Sequence, residues 1–578
     1  MPQASREMLE SRSREAGFVA LASSPDCFLA AAPGTQALPI AEHGFVIGHL
    51  FAAGSRHEVT ALTPQGAATI VSSGGERLIE AFWGDYIAIW RTADGFALLR
   101  GPFGNLPCLH ATLDTGLIAG SDIAALRHAG LHPLSIDYDA VARQLIAGDL
   151  RTRETCLAGI AELRGGGRMT LANGRAQIDS LWSPWTFTTS TRRIDDEEEA
   201  CEGLRRHTNA CIAARTSRLE KPLLMLSGGL DSSILAASLG IFGRRFACLT
   251  FATADRIGDE RDEARAVAAH LGQEIVERKL EPAGVDIARL AATGLPRPSA
   301  RSFEQHVHGI ARDLAAELGC DGVLDGGGGD NVFCSLQSAA PAADCLLAAG
   351  GSGHFWQVCD DMGELASASR WTVAWRALRR ACAASRAPLW PLDLRFLTQD
   401  AKAHAMQAAR HPWLMRNPVR LPGRGAHIAL LAAAQGYIED GPHGTKTASL
   451  SPLLSQPLIE HCLSIPSWLW LARGCNRAAA RMAYADRLPA QIAWRRDKGA
   501  PDSFLIALLD HNRALIREYL AGGLLQGAGV IEPALVLEAL DDPRPARGTD
   551  YRRLMRLFDT ESWARGVAAA AVSGRASA

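Results

Sequence analysis

Two kinds of apolar pattern divide the chain. In residues 1–185, short apolar segments such as 44–48 and 86–90 alternate with turn residues, which is typical of an all-β or a layered α/β/β/α domain. From residue 200 onward, short apolar strands alternate with helical stretches, and this pattern predicts a parallel sheet. The polar stretch 188–199 ends in five acidic residues. We interpret it as a solvated linker or as the acidic first turn of a helix.

The most informative stretch is 223–240. Four apolar residues are followed by Ser-Gly-Gly-Leu-Asp-Ser-Ser at 227–233 and then by an apolar run that ends in a glycine. This order predicts a buried strand, a tight turn and a helix. Glycines let the backbone approach an anion closely, and the N-terminus of a helix stabilises negative charge. The stretch is therefore a candidate phosphate site, with a purely structural turn as the alternative.

A second glycine-rich turn follows another predicted strand. The pattern after the first turn predicts strands at 245–251, 274–276 and 322–324 and helices at 259–271 and 303–318. The last strand leads into Asp-Gly-Gly-Gly-Gly-Asp-Asn at 325–331. Ligands of doubly wound sheets bind beyond the carboxyl ends of the strands. The two glycine turns can thus face one nucleotide, unless the second is only a flexible loop.

Bulk composition excludes several classes of protein. A chain of 578 residues is too long for one core and predicts two or more domains. The net charge of −2 and the absence of a signal peptide or of an apolar run near the ~18 residues of a membrane span predict a soluble cytoplasmic protein without nucleic-acid or membrane partners. The 13 scattered cysteines indicate reduced thiols, and the 17 histidines contain no transition-metal motif.

The glycine turns carry a resemblance to known enzymes. Ser-Gly-Gly-x-Asp-Ser resembles the PP-loop of ATP pyrophosphatases, and residues 324–333 resemble the second ATP-lining element of asparagine synthetases. The resemblance implies ATP and Mg²⁺, with Asp231 and Asp330 as the metal-binding carboxylates, in keeping with the preference of Mg²⁺ for oxygen ligands. It also implies nucleotide contacts, several through the backbone only, for Leu226, Ser227, Gly228, Gly229, Asp231, Ser232, Leu249, Asp325 and Gly326.

Three departures from the asparagine synthetases change the predicted chemistry. Gly327 stands where they carry a catalytic glutamate, and Asn331 replaces the acid that follows the metal-binding aspartate. Residues 82–86, 100–107 and 182–184 resemble their glutaminase half, whose nucleophile is an N-terminal cysteine. Here the second residue is Pro2. We therefore interpret the first domain as an inactive scaffold or docking surface.

A C-terminal motif points to one branch of the family. Residues 451–460 and 466–470, Ser-Pro-Leu-Leu-Ser-Gln-Pro-Leu-Ile-Glu and Pro-Ser-Trp-Leu-Trp, resemble the lasso peptide cyclases, which close a macrolactam. Arg477 stands where relatives carry a lysine or arginine, and Lys498 stands where β-lactam synthetases carry an essential lysine. Such cations suit adenylation and acyl transfer, because both build negative charge. A surface position is the alternative for Lys498.

The predicted fold is α/β. Residues 1–190 form a glutaminase-like (Ntn-type) β-rich sandwich lacking its nucleophile, and residues 200–578 form a doubly wound parallel-sheet PP-loop synthetase domain with a helical C-terminal part. The resemblance implies an ATP-dependent, AMP-forming macrolactam synthetase that joins an Asp or Glu side chain of a leader-free core peptide to the peptide's N-terminal amine. The implied partners are the ribosomal precursor peptide, a leader peptidase and a leader-binding protein. The alternatives are a β-lactam-type synthetase and a catalytically silent binding protein.

The segment 331–420 has the weakest signal. Its tryptophans, Trp356, Trp371, Trp375 and Trp390, are predicted to be core residues rather than ligand platforms. We nevertheless expect this segment to shape a substrate cavity. His427 and Gln435 follow on a predicted helix and are interpreted as structural.

Overall fold

The computed structural model describes residues 3–114, 116–253, 258–289, 294–299, 301–351, 353–384, 388–415, 418, 420–439, 447–496, 499, 502–542, 544 and 548–576. The strands of its first part are β1 (Val19–Ser23), β2 (Phe28–Ala31), β3 (Ala37–Ile40), β4 (Gly44–Ala52), β5 (Phe82–Thr92), β6 (Gly95–Arg100), β7 (Leu109–Leu113), β8 (Gly116–Gly120), β9 (Ile160–Glu162), β10 (Gly167–Ala172) and β11 (Arg175–Ser180). Its helices are α1 (Gln3–Glu15), α2 (Pro64–Ser72), α3 (Glu76–Ala81), α4 (Ile123–His128) and α5 (Tyr138–Ala147).

The first part is a layered sandwich. An antiparallel sheet of order β11-β10-β6-β5-β4-β3 lies beside a second sheet, β8-β7-β9. Side chains alternate along β5, so Ala88 and Trp90 join the apolar cluster that contains residues of α2 and α3. Ile87 and Ile89 join the cluster that includes Leu117 of the second sheet. Of the two predicted arrangements, the layered one is therefore present.

The second part begins with a long helix that the acidic run starts. Asp196 accepts a hydrogen bond from the backbone N–H of Glu199 at 2.8 Å, so the first-turn interpretation of this run is confirmed. The strands are β12 (Pro222–Met225), β13 (Ala247–Ala252), β14 (Ile275–Lys279), β15 (Gly322–Leu324), β16 (Ala448–Leu450), β17 (Leu471–Ala472) and β18 (Cys475–Asn476). The helices are α6 (Glu197–Arg215), α7 (Leu230–Ile241), α8 (Arg261–His270), α9 (Ser302–Glu317), α10 (Gly329–Val332), α11 (Ala340–Ala349), α12 (Gly353–Leu365), α13 (Arg370–Ala383), α14 (Gln399–Ala403), α15 (Ala405–Ala408), α16 (Pro422–Glu439), α17 (Gln456–Ser464), α18 (Ala478–Tyr484), α19 (Ala490–Ala493), α20 (Asp502–His511), α21 (Arg513–Leu520), α22 (Leu524–Gly527), α23 (Pro533–Asp541) and α24 (Asp550–Ala576).

A five-stranded parallel sheet organises the second part. Its order is β14-β13-β12-β15-β16. Leu223 and Leu224 of β12 are fully buried on opposite faces, one with α9 and the other with α7. The chain builds outward from β12 through β13 to β14 and then returns to the other side with β15, so the direction of winding reverses between β12 and β15. The doubly wound α/β fold with a helical C-terminal part is confirmed.

A buried ion cluster joins the two parts. Glu162 of β9 is 1% exposed and contacts three arginines: Arg100 at 2.8 Å, Arg151 at 3.0 Å and Arg297 at 2.6 Å. Arg297 lies between β14 and α9, so it reaches Glu162 from the second part. Burial raises the pKa of Glu162, but the three guanidinium groups outweigh this and hold that pKa well below its ordinary value.

Two tryptophans contradict the prediction of core positions. Trp371 and Trp375 on α13 are 67% and 57% exposed, because α13 packs on α11 and α12 through its opposite face. Trp371 meets the ring of the half-buried Trp356 edge-on at 5.1 Å, and Arg379 covers the ring of Trp375 at 4.7 Å. A local spacing pattern does not show which face of a helix its neighbours cover.

Two further features concern the chain as a whole. The thirteen cysteines are free thiols, and most of them are buried. In the part of the chain that the structure describes, no helix has both the length and the apolar character to cross a bilayer.

The ion cluster predicts a large and pH-dependent effect of Glu162→Gln. The variant removes the carboxylate that three buried guanidinium groups share and should lose about 3–5 kcal/mol of unfolding free energy at neutral pH. The folded pKa of Glu162 lies below its unfolded value near 4.5. The contribution is therefore present above pH 4.5 and declines as the pH falls below it, so the difference from wild type should shrink in acid. Denaturant titrations at several pH values measure both effects.

Glu154→Gln is the matched control. The side chain of Glu154 is 65% exposed and pairs with Arg143, so its loss should change the unfolding free energy by less than about 0.5 kcal/mol. Equal stabilities for the two variants would show that Glu162 does not hold the parts together.

Candidate active site

The first glycine turn is held open at the end of β12. The N–H of Leu226 donates to the carbonyl oxygen of Leu249 at 2.8 Å, which fixes the turn against β13. The Ser227 hydroxyl accepts from the backbone N–H of Gly229 at 3.2 Å and lies 3.2 Å from the hydroxyl of Ser232. No side chain among the described residues caps the N-terminus of α7, and the turn can therefore present backbone N–H groups to an anion.

The two glycine turns touch each other through positions that only glycine fits. A Cβ atom on Gly326 would lie 2.8 Å from the backbone nitrogen of Ser232, and one on Gly329 would lie 2.5 Å from Cβ of Asp231. Gly228 has a φ of +73°, and its Cβ would lie 2.6 Å from the backbone of Ala264 in α8. The turns therefore form one compact site at the reversal point between β12 and β15.

Three charged side chains meet in this site. Asp231 is buried, whereas the side chain of Asp330 is 41% exposed. One guanidinium nitrogen, Nη1 of Arg477, lies 3.0 Å from Asp231 and 2.6 Å from Asp330. Burial lowers the pKa of Arg477, but the two carboxylates outweigh this and raise it above its ordinary value. Arg477 has a φ of +57°, a left-handed conformation that aims its side chain into the site from the start of α18.

The two carboxylates fit a magnesium ion. Both contact the same nitrogen, so they lie close enough for one small cation with its waters to bridge them, and their oxygens are the donors that Mg²⁺ prefers. No group of three or more His, Cys, Asp or Glu side chains that could hold a metal occurs among the described residues. Two carboxylates together with phosphate oxygens are a usual Mg²⁺ environment.

The remaining residues of the second turn hold its shape. Asp325 accepts hydrogen bonds from the N–H of Gly327 at 2.8 Å and from the hydroxyl of Ser451 at 2.7 Å. A side chain at Gly327 would displace Asp325, since its Cβ would lie 2.7 Å from that carboxylate. Asn331 donates to the carbonyl oxygen of Leu430 in α16 at 2.6 Å. Asn331 thus anchors α16 to the site.

Lys498 lies outside the described residues, as does Pro2, but Arg495 and Gly499 on either side of it have described contacts. Glu260, which precedes α8, contacts Arg495 at 2.8 Å and accepts from the N–H of Gly499 at 3.0 Å. Arg481 was not predicted as a site residue. It donates to the carbonyl oxygens of Asn476 and Ala493, both at 2.8 Å, and so ties the segment of Arg477 to the one that leads to Lys498. The sequence around Arg481 gives no sign of this linking role, which is seen only from its buried position and its two hydrogen bonds.

A large cavity lies away from residues 331–420, which were predicted to shape a substrate cavity. A cavity of about 840 Å³ is lined by residues of the first part, α9, α16 and α24 and by none of residues 331–420. A smaller cavity is lined in part by Gln407, Ala408 and Arg410 of this segment, and its role in shaping a substrate cavity stays a prediction. His427 and Gln435 on α16 are buried, and His427 binds the carbonyl oxygen of Val332 at 3.0 Å, as expected of structural residues.

The fold and the site together define a class of protein. A doubly wound sheet with two apposed glycine turns and paired carboxylates at its reversal point is typical of a nucleotide-binding enzyme. The family model described as asparagine synthase matches residues 203–565, more than half of the chain. The chain therefore belongs to the asparagine synthase family, which uses ATP and Mg²⁺.

A curated relative points to the same class. The carboxyethyl-arginine beta-lactam-synthase of Streptomyces clavuligerus is 30% identical over 214 residues, which are 36% of this chain and 38% of that protein. The match thus spans well under half of the relative's length. Family and relative together support an ATP-dependent amide-bond-forming ligase.

The contact between the turns predicts the effect of Gly329→Ala. The added methyl group would overlap Asp231, so either the carboxylate or the second turn must move. We expect affinity for Mg²⁺ with a non-hydrolysable ATP analogue to fall at least about tenfold, a loss of roughly 1.4 kcal/mol. Isothermal titration calorimetry measures it.

Gly240→Ala, at the other end of α7, is the control. Its Cβ would make an ordinary 3.7 Å contact with Leu271, so nucleotide affinity should not change. Unchanged affinity in both variants would contradict a nucleotide site between the turns.

Proposed function

We propose that this protein is a macrolactam synthetase of the lasso peptide cyclase type. ATP is its co-substrate and a leader-free core peptide is its substrate. A side-chain carboxylate oxygen of Asp or Glu in the peptide attacks the α-phosphorus of ATP, and the bond to pyrophosphate breaks. The N-terminal amine then attacks the acyl carbon, AMP leaves with the former carboxylate oxygen, and the amine gives up a proton as the isopeptide bond forms.

The arrangement of Asp231, Asp330 and Arg477 carries the ATP-dependent part of the proposal. Mg²⁺, when bound by the two aspartates, would offset the charge of the phosphates. Arg477 supplies a permanent positive charge at the same place, where adenylation builds negative charge. The backbone N–H groups of residues 227–231 are available to the leaving pyrophosphate. Lys498 is proposed as a second cation for the acyl step.

The motif at 451–470 supports the peptide-cyclising branch. It lies directly behind the second glycine turn, where Ser451 holds Asp325 and Leu454 fills the space that a side chain at Gly328 would need. Trp470 is 1% exposed, and the centroid of its ring lies 6.3 Å from that of Phe333, the residue that follows α10. Cyclase-like residues thus set the shape of the turn that carries Asp330.

A β-lactam-type synthetase is the second candidate. The 30% identity to carboxyethyl-arginine beta-lactam-synthase favours it, and that relative closes a ring within a small molecule, as its name states. Both candidates use an amine within the substrate, so substrate size separates them. Gly327 has no side chain with which to act as a base in either reaction.

The setting of the proposed reaction follows from the substrate. We propose that the precursor peptide reaches the enzyme through a leader-binding protein and a leader peptidase in the cytoplasm. Residues 1–190 are then a scaffold and residues 200–578 the synthetase domain.

The decisive test supplies the purified protein with Mg²⁺, ATP and the leader-free peptide encoded beside its gene. We expect a product lighter by one water together with one AMP for each ring closed, detected by mass spectrometry and nucleotide chromatography. Asp231→Ala should lower both rates roughly 100-fold or more, as the loss of a charge-stabilising group does.

Glu198→Gln, at an exposed position in the first turn of α6, is the control and should keep both rates. AMP formed from a small amino acid but not from the peptide would favour the β-lactam-type reaction. If the folded protein forms neither product when the protease and the leader-binding protein are supplied, a catalytically silent binding protein is favoured.

A further inference from the structure

The cavity of about 840 Å³ lies where the two parts of the chain meet. Gly148 and Asp149, which follow α5, form one wall, and α9 and α24 form another. Asp149 contacts Arg301 at 2.5 Å and Arg556 at 2.7 Å, so the walls are tied together by ion pairs. We call this space the interdomain chamber.

The chamber is next to the candidate active site. Ala433 of α16 lines it, three residues after Leu430, whose carbonyl oxygen accepts from Asn331. Three residues of helix correspond to a rise of about 4.5 Å. Ala433 at the chamber wall therefore lies within about one helical turn of Leu430, which Asn331 contacts.

The size of the chamber fits a peptide better than a small amino acid. Pockets of about 300–1,000 Å³ enclose drug-sized ligands, and this volume is near the upper end of that range. Open space also lies beside two of its glycines. Cβ atoms on Gly309 in α9 and on Gly284 would meet no atom within 4 Å.

One half-buried carboxylate lines the chamber. Asp559 of α24 accepts a hydrogen bond from the N–H of Ser302 at 3.4 Å, and among the described residues it forms no ion pair. The charged groups that act on it are Arg301, which Asp149 already engages, and Glu304. Burial raises the pKa of Asp559 to about 7. A carboxylate that lines a cavity without an ion pair of its own can accept charge-assisted hydrogen bonds from an ammonium group.

We propose that the interdomain chamber holds the peptide substrate and that Asp559 binds its N-terminal ammonium group. This inference rests on the proposed function. It also gives the first part of the chain a role, because Gly148 and Asp149 then form a wall of the substrate site. Asp559 holds the ammonium group while the peptide docks along α16, and the amine leaves Asp559 and gives up a proton before it attacks the acyl carbon.

The first test fills the chamber. Gly309→Trp adds an indole at a chamber position where a Cβ atom would meet no atom within 4 Å, and Gly284→Trp does so from a second position if the first variant does not fold. We expect the affinity for a synthetic core peptide, labelled with fluorescein at its C-terminus and followed by anisotropy, to fall at least about tenfold. ATP-analogue affinity and the melting temperature should stay at wild-type values. Gly353→Trp, at an exposed position of α12 with equal open space, should bind the peptide as wild type does.

The outcomes separate the two proposals. Wild-type peptide affinity and ring closure in the folded tryptophan variants would overturn the chamber and leave the cyclase proposal standing. A wild-type protein that neither binds nor closes the peptide would overturn both.

The second test removes the charge of Asp559. Wild type should bind the free-amine peptide at least about tenfold more tightly than the N-acetylated peptide, as a charge-assisted hydrogen bond implies. Asp559→Asn keeps the size of the side chain and should abolish this preference. Glu317→Gln, at the exposed far end of α9, should retain it. A preference that persists in Asp559→Asn would overturn the assignment of Asp559.

Discussion

The site depends on a steric constraint: two backbone turns approach more closely than any Cβ atom permits. Gly326 and Gly329 lie against Ser232 and Asp231 at the first turn of α7, so the ends of β12 and β15 share one surface. The parallel sheet brings these strand ends together, and the missing side chains let the turns close. Any larger residue at either glycine would separate Asp231 from Asp330.

Because the turns lie so close, the charges of Asp231 and Asp330 must be offset by another residue of the site. Two carboxylates at such short range repel each other, and Asp231 is also buried. Arg477 offsets both charges through one nitrogen. It can do so because its backbone adopts a left-handed conformation just before α18. Arg481 holds this part of the chain in place through hydrogen bonds to the carbonyl oxygens of Asn476, before α18, and Ala493, after it. The cation is thus part of the fold of the site as well as of its proposed chemistry.

The sequence predicted what local patterns encode. The strands before the glycine turns, the helix that follows the first turn and the parallel sheet were predicted from apolar runs and turn residues. The contact of Gly329 with Asp231 was predicted only as far as the two turns were expected to face one ligand. The exposure of Trp371 and Trp375 was not predicted, since it depends on which face of α13 meets α11 and α12. The chamber was missed as well, because its walls come from residues as far apart as Gly148 and Asp559, and such long-range contacts leave no local pattern.

The difference in exposure between the two aspartates gives the site a direction. The side chain of Asp231 in α7 is 11% exposed, whereas that of Asp330 is 41% exposed. The site therefore opens on the side of Asp330 and Asn331, which is also the side on which α16 leads to the interdomain chamber. In the proposed reaction the phosphates occupy the turn before α7, and the peptide approaches along α16. The acyl carbon then lies between them, where the positive charge of Arg477 is nearest. In the proposed arrangement the first part of the chain is tied to the peptide site, because Arg297 and Arg301, which pair with Glu162 and Asp149, both line the chamber.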